Sequence, residues 1–347
     1  MERFKKILIT GGAGFIGGAL VRKLLKDSES YIFNLDNLTY SGDLLSINSF
    51  IKTLNSSAFE RYRFIRGDIS DKSTVDSLIK EIEPELIIHL AAETHVDNSI
   101  IFPEKFISSN ILGTFRLLES SIKYFNSVNN TIKKKFKFLH VSTDEVFGSL
   151  NKTGYFNENS NYNPRSPYSA SKASSDHLVK AWFHTYKLPC IITNCSNNYG
   201  PWQNPEKLIP NTISNALLNK NIPIYGKGEN IRDWLYVDDH VDAILLVADK
   251  GLPGRSYCIG GNNEETNLNI VNKICQYLDI HIPKSESHKS LIKFVTDRPG
   301  HDFRYAIDST LIRKELKWAP KHNFEEGLHK TIDWYLKNRN WLYKNSN

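Results

Sequence analysis

Residues 5–17, KKILITGGAGFIG, decide the fold, because a short apolar run leads directly into a cluster of glycines. The apolar run predicts a buried strand, and residues 15–27 place their large apolar side chains on one stripe of a helix. Gly11 permits a tight turn, Gly14 lets the backbone approach a pyrophosphate, and Gly17 lets helix and strand pack closely. The helix N-terminus offers N–H donors to phosphates. This strand–turn–helix unit predicts a dinucleotide site.

Alternating strands and helices fill the rest of the first half. Further strands are predicted at 31–36, 63–68, 85–92, 136–143 and 189–197, and helices near 71–82, 103–126 and 167–186. This alternation indicates a parallel sheet covered on both faces. The second half is less regular, with isolated strands at 223–226 and 255–261. We predict an α/β fold, a Rossmann-type doubly wound parallel sheet with a smaller mixed α/β substrate-binding domain. The predicted division is 1–193 plus 234–262 for the first domain and 194–233 plus 263–347 for the second.

Composition excludes several classes of protein. The 347-residue chain is 40% hydrophobic and 24% charged, as expected for a packed globular protein. Its net charge of +6 is scattered, so no nucleic-acid partner is predicted. Four cysteines without paired spacing indicate buried thiols rather than disulfides or a metal site. Neither a signal peptide nor the ~18 apolar residues of a membrane helix is present, so we expect no membrane contact and a cytoplasmic protein.

The second strand ends in an acidic residue suited to a ribose. Asp36 follows Gly17 at the spacing of about 20 residues expected for a carboxylate that binds ribose hydroxyls. It would repel a 2′-phosphate, so NAD is favoured over NADP, although a turn or capping role is the alternative. Asp68-Ile69 after the third strand can flank the adenine. The small residues of Leu90-Ala91-Ala92 suit a place where backbone meets cofactor.

Candidate catalytic residues follow the fifth strand and begin the next helix. Tyr168 and Lys172 are four residues apart and therefore share a helix face. We expect the ammonium to lower the pKa of the phenol, so that Tyr168 can act as a base. Either Ser142 or Thr143 can supply a hydroxyl donor at the strand end. The adjacent carboxylates Asp144 and Glu145 indicate acid–base chemistry beyond simple alcohol oxidation, unless they are only loop acids.

Together these segments resemble the extended short-chain dehydrogenase/reductases and, more narrowly, the dTDP-glucose 4,6-dehydratase family of deoxysugar (dTDP-L-rhamnose) synthesis. The resemblance runs in order through nearly the whole chain. It is carried by GGAGFIG (11–17), DNLTYSG (36–42), LAAETHVDNSI (90–100), STDEVFG (142–148), SPYSASKASSDHLV (166–179), NCSNNYGPWQNPEKLIP (194–210), PIYGKGENIRDWLYVDDH (223–240) and DRPGHDFRYAID (297–308).

The resemblance implies a three-step lyase reaction. Tyr168 takes the proton from the sugar O4 while C4 is oxidised by NAD⁺, with Thr143 bonded to O4 and Lys172 tuning the tyrosine. Glu145 then removes the C5 proton, and Asp144 protonates the departing C6 hydroxyl, which leaves as water. The hydride finally returns to C6, so the cofactor ends as it began and stays bound.

The resemblance also implies the binding residues. Cofactor contacts are expected at Gly11, Gly14, Phe15, Ile16, Gly17, Asp36, Asn37, Leu38, Thr39, Asp68, Ile69, Leu90, Ala91, Ala92, Ser109, Tyr168, Lys172 and Asn198. Nucleotide-sugar contacts are expected at Thr94, Thr143, Asn197, Lys207, Leu208, Pro223, Ile224, Tyr225, Arg232, Asn267, Asp297, Arg298, Pro299, Gly300 and His301. Two of these, Arg232 and Arg298, suit a diphosphate because guanidinium binds phosphate oxygens in pairs.

Departures from the family pattern and competing functions are few. Phe147 stands where the family usually has Tyr, Asn98 where Arg is common, and Thr94 replaces a frequent Ser. The resemblance implies a homodimer paired through the helices near 103–126 and 167–186. A UDP-sugar dehydratase or an epimerase of the same fold is the nearest alternative, and an NAD-dependent sensor is a more distant one. An epimerase needs no acid–base pair of carboxylates, and a sensor needs none of this machinery.

Overall fold

The computed structural model describes residues 3–54 and 56–346, in twelve strands and fifteen α-helices. The strands are β1 (Lys6–Thr10), β2 (Tyr31–Asp36), β3 (Tyr62–Arg66), β4 (Leu86–His89), β5 (Lys137–Thr143), β6 (Cys190–Cys195), β7 (Asn197–Tyr199), β8 (Ile222–Tyr225), β9 (Ile231–Tyr236), β10 (Ser256–Ile259), β11 (Glu264–Thr266) and β12 (Ile292–Val295).

The α-helices cover both faces of the sheet and form much of the second half. They are α1 (Phe15–Asp27), α2 (Leu45–Ile51), α3 (Ser56–Glu60), α4 (Lys72–Ile82), α5 (Val96–Ile101), α6 (Pro103–Phe106), α7 (Thr114–Ser127), α8 (Asn130–Lys135), α9 (Pro167–Tyr186), α10 (Leu208–Leu217), α11 (Val237–Lys250), α12 (Asn267–His281), α13 (Thr310–Leu316), α14 (Phe324–Lys337) and α15 (Arg339–Lys344). A π-helix spans Ile107–Gly113, and 3₁₀ turns span Asp144–Phe147 and His288–Leu291.

Seven strands form one parallel sheet in the order β10-β6-β5-β4-β1-β2-β3. Two separate apolar clusters cover its opposite faces, which is why the central strands are apolar along their whole length. Chain order reverses between β1 and β4, and such a switch point opens a crevice at the carboxyl ends of the strands. The predicted Rossmann-type fold is confirmed.

The second half contains two small sheets and its own core. The strands β11, β9 and β7 form one sheet, and β12 pairs with β8 in the other. Aromatic and aliphatic side chains from α10, α12 and α14 pack together beneath them. One returning strand, β10, joins the large sheet beside β6. The domain boundaries given above stay a prediction.

The helix predicted near 103–126 is helical throughout but not uniform. Its middle, Ile107–Gly113, is a π-helix between α6 and α7. The carbonyl of Asn110 accepts hydroxyl protons from Thr114 at 2.5 Å and Ser175 at 2.7 Å. Side-chain hydroxyls that bond to helix carbonyls compete with the regular backbone pattern.

Two further expectations concern the cysteines and membrane contact. All four cysteines are buried and unpaired, as predicted. Among residues 3–54 and 56–346, no helix has both the length and the apolar character needed to cross a bilayer.

Candidate active site

A cavity of about 750 Å³ opens at the switch point of the large sheet. Most of the residues predicted to bind the cofactor line it, together with all five predicted catalytic residues. From the predicted sets, the lining residues are Gly11, Gly14, Phe15, Ile16, Gly17, Asp36, Asn37, Thr39, Asp68, Ile69, Leu90, Ala91, Ala92, Thr94, Ser109, Thr143, Asp144, Glu145, Tyr168, Lys172, Asn197, Asn198 and Lys207.

The glycine-rich turn is shaped to admit a dinucleotide. Gly11 has a φ of +76°, and a Cβ atom there would lie 2.5 Å from the backbone nitrogen of Ala91. A Cβ atom on Gly17 would overlap the Gly11 carbonyl oxygen. Helix α1 starts after Gly14, which has no side chain to cap it, so its first N–H groups face the cavity. These features fit a pyrophosphate at the helix N-terminus.

The Asp36 carboxylate is held in a defined orientation at the end of β2. Its Oδ2 accepts a hydrogen bond from the Ala13 N–H at 2.9 Å, and its Oδ1 accepts one from the Leu38 N–H at 2.8 Å. Burial raises the pKa of Asp36, and the two backbone donors oppose that change. Across the cavity edge, Asn37 Nδ2 donates to Asp68 Oδ2 at 3.0 Å. These side chains fit the adenosine end of NAD.

The predicted catalytic residues that follow β5 and those on α9 meet at the other end of the cavity. A capping box between Ser166 and Ser169 fixes the start of α9, and this places Tyr168 and Lys172 one turn apart. Lys172 Nζ donates to the carbonyl of Val141 on β5 at 3.0 Å, which joins the helix to the strand that leads to the other predicted catalytic residues.

The carboxylates follow that strand in a 3₁₀ turn. Thr143 is the N-cap of the turn, and its hydroxyl accepts a hydrogen bond from the Glu145 N–H. The same hydroxyl donates to Asp144 Oδ1 at 3.3 Å. Asp144 is only 1% exposed, whereas Glu145 is half-buried and faces the cavity.

Different surroundings give the two carboxylates different acidities. Burial and the neighbouring Glu145 and Asp233 raise the pKa of Asp144 well above its usual range. Burial also raises the pKa of Glu145, but Arg298, Arg232 and Lys207 oppose that rise. A proton is therefore held more firmly on Asp144, as an acid requires, than on Glu145, as a base requires.

We expected the protein's own groups to lower the pKa of Tyr168, and that prediction is wrong. Burial first, then Glu145, Cys195 and Asp144, raise the pKa of Tyr168 well above its usual value. Sequence reasoning counted the ammonium of Lys172 but not the loss of water or the two carboxylates. A phenolate at this position requires further positive charge in the cavity.

Arginine side chains from the second half lie close enough to Glu145 to act on its carboxylate. Arg232 is 5% exposed, stacks on the Tyr305 ring at 4.4 Å and donates to the Asp302 carbonyl at 3.0 Å. Arg298 lies 3.4 Å from Asp97 Oδ1, and Tyr225 OH donates to Asp97 Oδ2 at 3.3 Å. An anionic ligand would therefore compete with Asp97 for Arg298.

Arg232 and Arg298 are not part of the cavity wall, and neither are the remaining predicted sugar-nucleotide contacts. Ile224 is buried in the core of the second half, whereas Pro223 and Tyr225 point to the opposite, exposed side of β8. The loop after β12 carries a hydrogen bond between His301 and Asp297, 2.6 Å long. The remaining residues outside the wall are Leu38 beside Asp36, Leu208 and Asn267 at the starts of α10 and α12, and Pro299 and Gly300 in the same loop.

Several lining residues were not predicted. They include Tyr40, Ser41, Gly42, Glu93, Phe102, Lys105, Cys195, Gln203, Asn204 and Glu206, whereas Ser142, the alternative hydroxyl donor, was predicted and also lines the cavity. Many of them lie within the family segments quoted above, which was the available signal. Asn110 was also missed: its side-chain oxygen accepts from the Glu93 N–H at 2.8 Å, and its Nδ2 donates to Ser171 Oγ at 2.8 Å. It therefore joins the loop before α5 to α9.

The three noted departures have clear places, and Thr94 is among the residues that line the cavity. Phe147 is buried among aromatic rings, 5.3 Å from Phe156 and 5.4 Å from Tyr162 between ring centres, so it serves packing. Asn98 lines the cavity.

The matching family model and the relatives described here are all nucleotide-sugar 4,6-dehydratases. The model of the GDP-mannose 4,6 dehydratase family matches residues 8–331. The chain is 50% identical to the dTDP-glucose 4,6-dehydratase of Shigella flexneri, over 97% of this chain and 94% of that protein. It is similar to the crystal structure of dTDP-glucose 4,6-dehydratase from Bacillus anthracis in complex with NAD, with a TM-score of 0.83, 45% identity, and 97% and 98% of the two chains covered. DesIV, the dTDP-glucose 4,6-dehydratase of Streptomyces venezuelae, also solved with NAD bound, gives a TM-score of 0.86, 39% identity, and coverage of 97% and 98%.

Proposed function

This chain belongs to the GDP-mannose 4,6 dehydratase family, and we propose that it is an NAD-dependent dTDP-glucose 4,6-dehydratase, a hydro-lyase that forms dTDP-4-keto-6-deoxy-D-glucose and water. The observation that carries the proposal is a single cavity lined by Thr143, Asp144, Glu145, Tyr168 and Lys172 beside a dinucleotide turn. Half of the residues of the Shigella flexneri dTDP-glucose 4,6-dehydratase are identical, over nearly its whole length.

NAD fits the residues that line the inner half of the cavity. The close approach at Gly11 and Gly17 leaves room for a pyrophosphate, and Asp36 faces the place where the ribose hydroxyls belong. When bound, NAD⁺ accepts a hydride from C4 of the sugar and returns it to C6. Its positive ring also supplies the charge that Tyr168 needs, since the protein's own groups raise the pKa of that phenol.

Oxidation at C4 needs a base close to O4. Tyr168 takes the O4 proton, and the Thr143 hydroxyl orients the same oxygen. Lys172 stabilises the phenolate from one turn along α9. Because Tyr168 is only 8% exposed, water is kept from the proton that it receives.

Elimination of water needs an acid and a base on one substrate. The new C4 ketone makes the C5 proton acidic, and the half-buried Glu145 removes it. Asp144, whose pKa is raised by burial and by Glu145, gives its proton to the C6 oxygen, which leaves as water. The proton on Glu145 exchanges with solvent, and Glu145 then protonates C5 when C6 is reduced.

The anionic nucleotide is placed on the cationic side of the cavity. Lys207, Arg232 and Arg298 all influence Glu145 electrostatically, so they lie on the side of the substrate that carries the sugar and its diphosphate. We also propose that Tyr225 and the segment from Asp297 to His301 contact the nucleotide sugar, because they lie beside Arg298.

The test is incubation of the purified protein with dTDP-glucose in heavy water, followed by mass spectrometry. The expected product has lost one water and gained one carbon-bound deuterium. Glu145→Gln should abolish dehydration, whereas an epimerase of the same fold would keep its activity. An unchanged substrate would remove the dTDP-glucose assignment, and conversion of UDP-glucose instead would identify the nearest alternative donor.

We also propose a homodimer in the cytoplasm, in which a second copy covers the exposed apolar side chains around α6. Ile101, Phe102, Ile107 and Leu112 are 65%, 54%, 52% and 37% exposed, and such a cluster on a folded protein marks an interaction surface. Ile107→Asp should lower the mass observed in sedimentation to that of one chain. Ile280→Asp, at a residue that is 75% exposed on α12, is the matched control.

A further inference from the structure

A fully buried carboxylate lies behind the catalytic tyrosine and lysine. Asp176 is on α9, one helical turn after Lys172 and two turns after Tyr168, so the three residues follow one another along the helix. Neither Asp176 nor the adjacent His140 has any exposed surface. A buried charge is costly unless it is paired and hydrogen-bonded, so its surroundings must stabilise it.

One oxygen of this carboxylate joins three separate parts of the chain. Asp176 Oδ2 accepts hydrogen bonds from Ser142 Oγ at 3.0 Å and Tyr162 OH at 3.0 Å. It accepts a third from Asn194 Nδ2 at 3.1 Å. Ser142 and Asn194 belong to β5 and β6, and Tyr162 to the loop before α9. The carboxylate therefore holds α9 against the end of the strand that carries Thr143.

The other oxygen faces the catalytic lysine through a histidine. Asp176 Oδ1 lies 3.2 Å from His140 Nε2, and the same nitrogen lies 3.5 Å from Lys172 Nζ. Burial and the charge of Lys172 lower the pKa of His140 to about 4, so its ring is neutral at neutral pH. The negative charge of this cluster therefore resides on Asp176, on the side of Lys172 away from the cavity.

We propose that Asp176 is a positioning residue for the oxidation of C4: acting through His140 and the end of β5, it keeps the Lys172 ammonium charged and in place beside Tyr168. The inference rests on the proposed function, because it concerns the step in which Tyr168 takes the O4 proton.

The electrostatics of the cluster agree with this role. Burial lowers the pKa of Lys172, and Asp176 followed by Cys195 opposes the change. Burial alone would raise the pKa of Asp176, yet hydrogen bonds from His140 and Ser142 and the charge of Lys172 hold it below its usual value. From β4, His89 faces His140 with ring centres 5.0 Å apart, and burial lowers its pKa so that it too is neutral.

The test separates oxidation from C5 proton transfer in Asp176→Asn, which keeps the shape and removes the charge. We expect single-turnover formation of product from C4-deuterated dTDP-glucose to slow ~10- to 100-fold, the effect of a misplaced catalytic group. Exchange of the C5 proton of added 4-keto product into heavy water uses Glu145 and should stay within about twofold of wild type. A merely structural defect would lower both rates together.

The pH dependence is the second readout. Without Asp176, the Lys172 ammonium loses its proton at lower pH, because the carboxylate that stabilised it is gone. The alkaline limb of the oxidation rate should therefore move to lower pH in Asp176→Asn. Exchange at C5 should keep its pH profile.

A second variant keeps the proposal testable if Asp176→Asn does not fold. Tyr162→Phe removes one hydrogen bond from Oδ2 and keeps the charge, so oxidation should slow about threefold, as expected for one lost bond, with C5 exchange unchanged. An unchanged oxidation rate in both variants, or equal losses of oxidation and exchange, would overturn the proposal. Wild-type protein that converts no dTDP-glucose would instead show that the proposed function itself is wrong, and the inference would fall with it.

Discussion

Two neighbouring carboxylates in one turn are the residues on which the proposed chemistry depends most. Asp144 is enclosed beside Asp233, whereas Glu145 faces the cationic side chains that the second half brings. The order of their acidities therefore follows from burial and from charges far away in the sequence. The motif alone could say that two acids were present, but not which of them keeps its proton.

A pH dependence follows from the raised pKa of Asp144. Because burial and Glu145 raise its pKa, Asp144 keeps its proton to higher pH than a free aspartate and loses it as the pH rises through its folded-state pKa, so the elimination rate should fall on the alkaline side. Asp144→Asn should lower kcat ~10²- to 10⁴-fold and remove that limb. Steady-state rates over a pH series test this. Asp279→Asn, a remote carboxylate bonded to His288, should leave the rate and its profile unchanged.

At the scale of elements, the turn before α1 and the helix itself respond differently to an added methyl group. A Cβ atom on Gly17 would meet the Gly11 carbonyl, which cannot move without opening the turn. A Cβ atom on Gly18 would meet only Ser46 Oγ at 3.1 Å and the end of Arg22 at 3.3 Å, and both of these side chains can move. Gly17 is therefore required by the close approach of the turn backbone, whereas Gly18 is not.

Gly17→Ala should lower the free energy of unfolding by about 1–3 kcal/mol, the cost of overpacking, and weaken NAD binding. Gly18→Ala should leave stability equal or raise it by up to about 1 kcal/mol, because alanine is the better helix former. Urea denaturation and NAD titration of the two variants test the difference. Equal losses in both would contradict this account of the turn.

The π-helix places Asn110 where its side chain holds two other segments. Asn110→Ala would leave the part-buried Glu93 N–H without this partner and remove the bond to Ser171, so we expect a loss of about 2–3 kcal/mol. Ser171→Ala removes a single side-chain partner of Asn110 and should cost less. Denaturation curves of both variants are the measurement, and a larger loss for the serine variant would argue against this role.

The helix predicted near 103–126 was correct in type and nearly correct in length. Its apolar periodicity was sufficient to predict a helix of nearly the right length, and the strands of the large sheet were predicted within a few residues. The π-helical middle was not predicted, and one of the two hydroxyls that bond the Asn110 carbonyl there belongs to Ser175 on another helix, a contact that local periodicity does not contain.

For the whole molecule, buried neutral histidines make stability depend on pH. His240 on α11 bonds through Nδ1 to the side-chain oxygen of Asn198 on β7 at 2.9 Å, and burial lowers its pKa to about 3. The unfolded chain takes up a proton near pH 6.5, whereas the folded protein does not. The stability that this neutral histidine contributes is therefore present above about pH 6.5 and is lost as the pH falls below it.

His240→Gln, which cannot take up a proton, isolates this effect. The stability of wild type relative to the variant should fall by roughly 2 kcal/mol between about pH 7 and pH 5. Urea denaturation of both proteins at the two pH values measures it. Asp144 and Glu145, whose pKa values are raised, affect both proteins equally, so their contributions cancel in the difference between the two free energies of unfolding. A difference that does not change with pH would show that His240 is already protonated in the folded protein.

The sequence by itself determined the parallel sheet and the dinucleotide turn, because these depend on local periodicity and on glycine geometry. It also proposed the candidate catalytic set from Thr143 to Lys172, through the spacing of Tyr168 and Lys172 on one helix and through the family resemblance. Tertiary structure alone decided the acidities, the direction of the Tyr168 shift, the approach of Arg232 and Arg298 to Glu145, and the carboxylate behind Lys172. Those properties arise from the removal of water around buried groups and from charges that are far apart in the sequence but close in space. Spacing along the chain specifies neither.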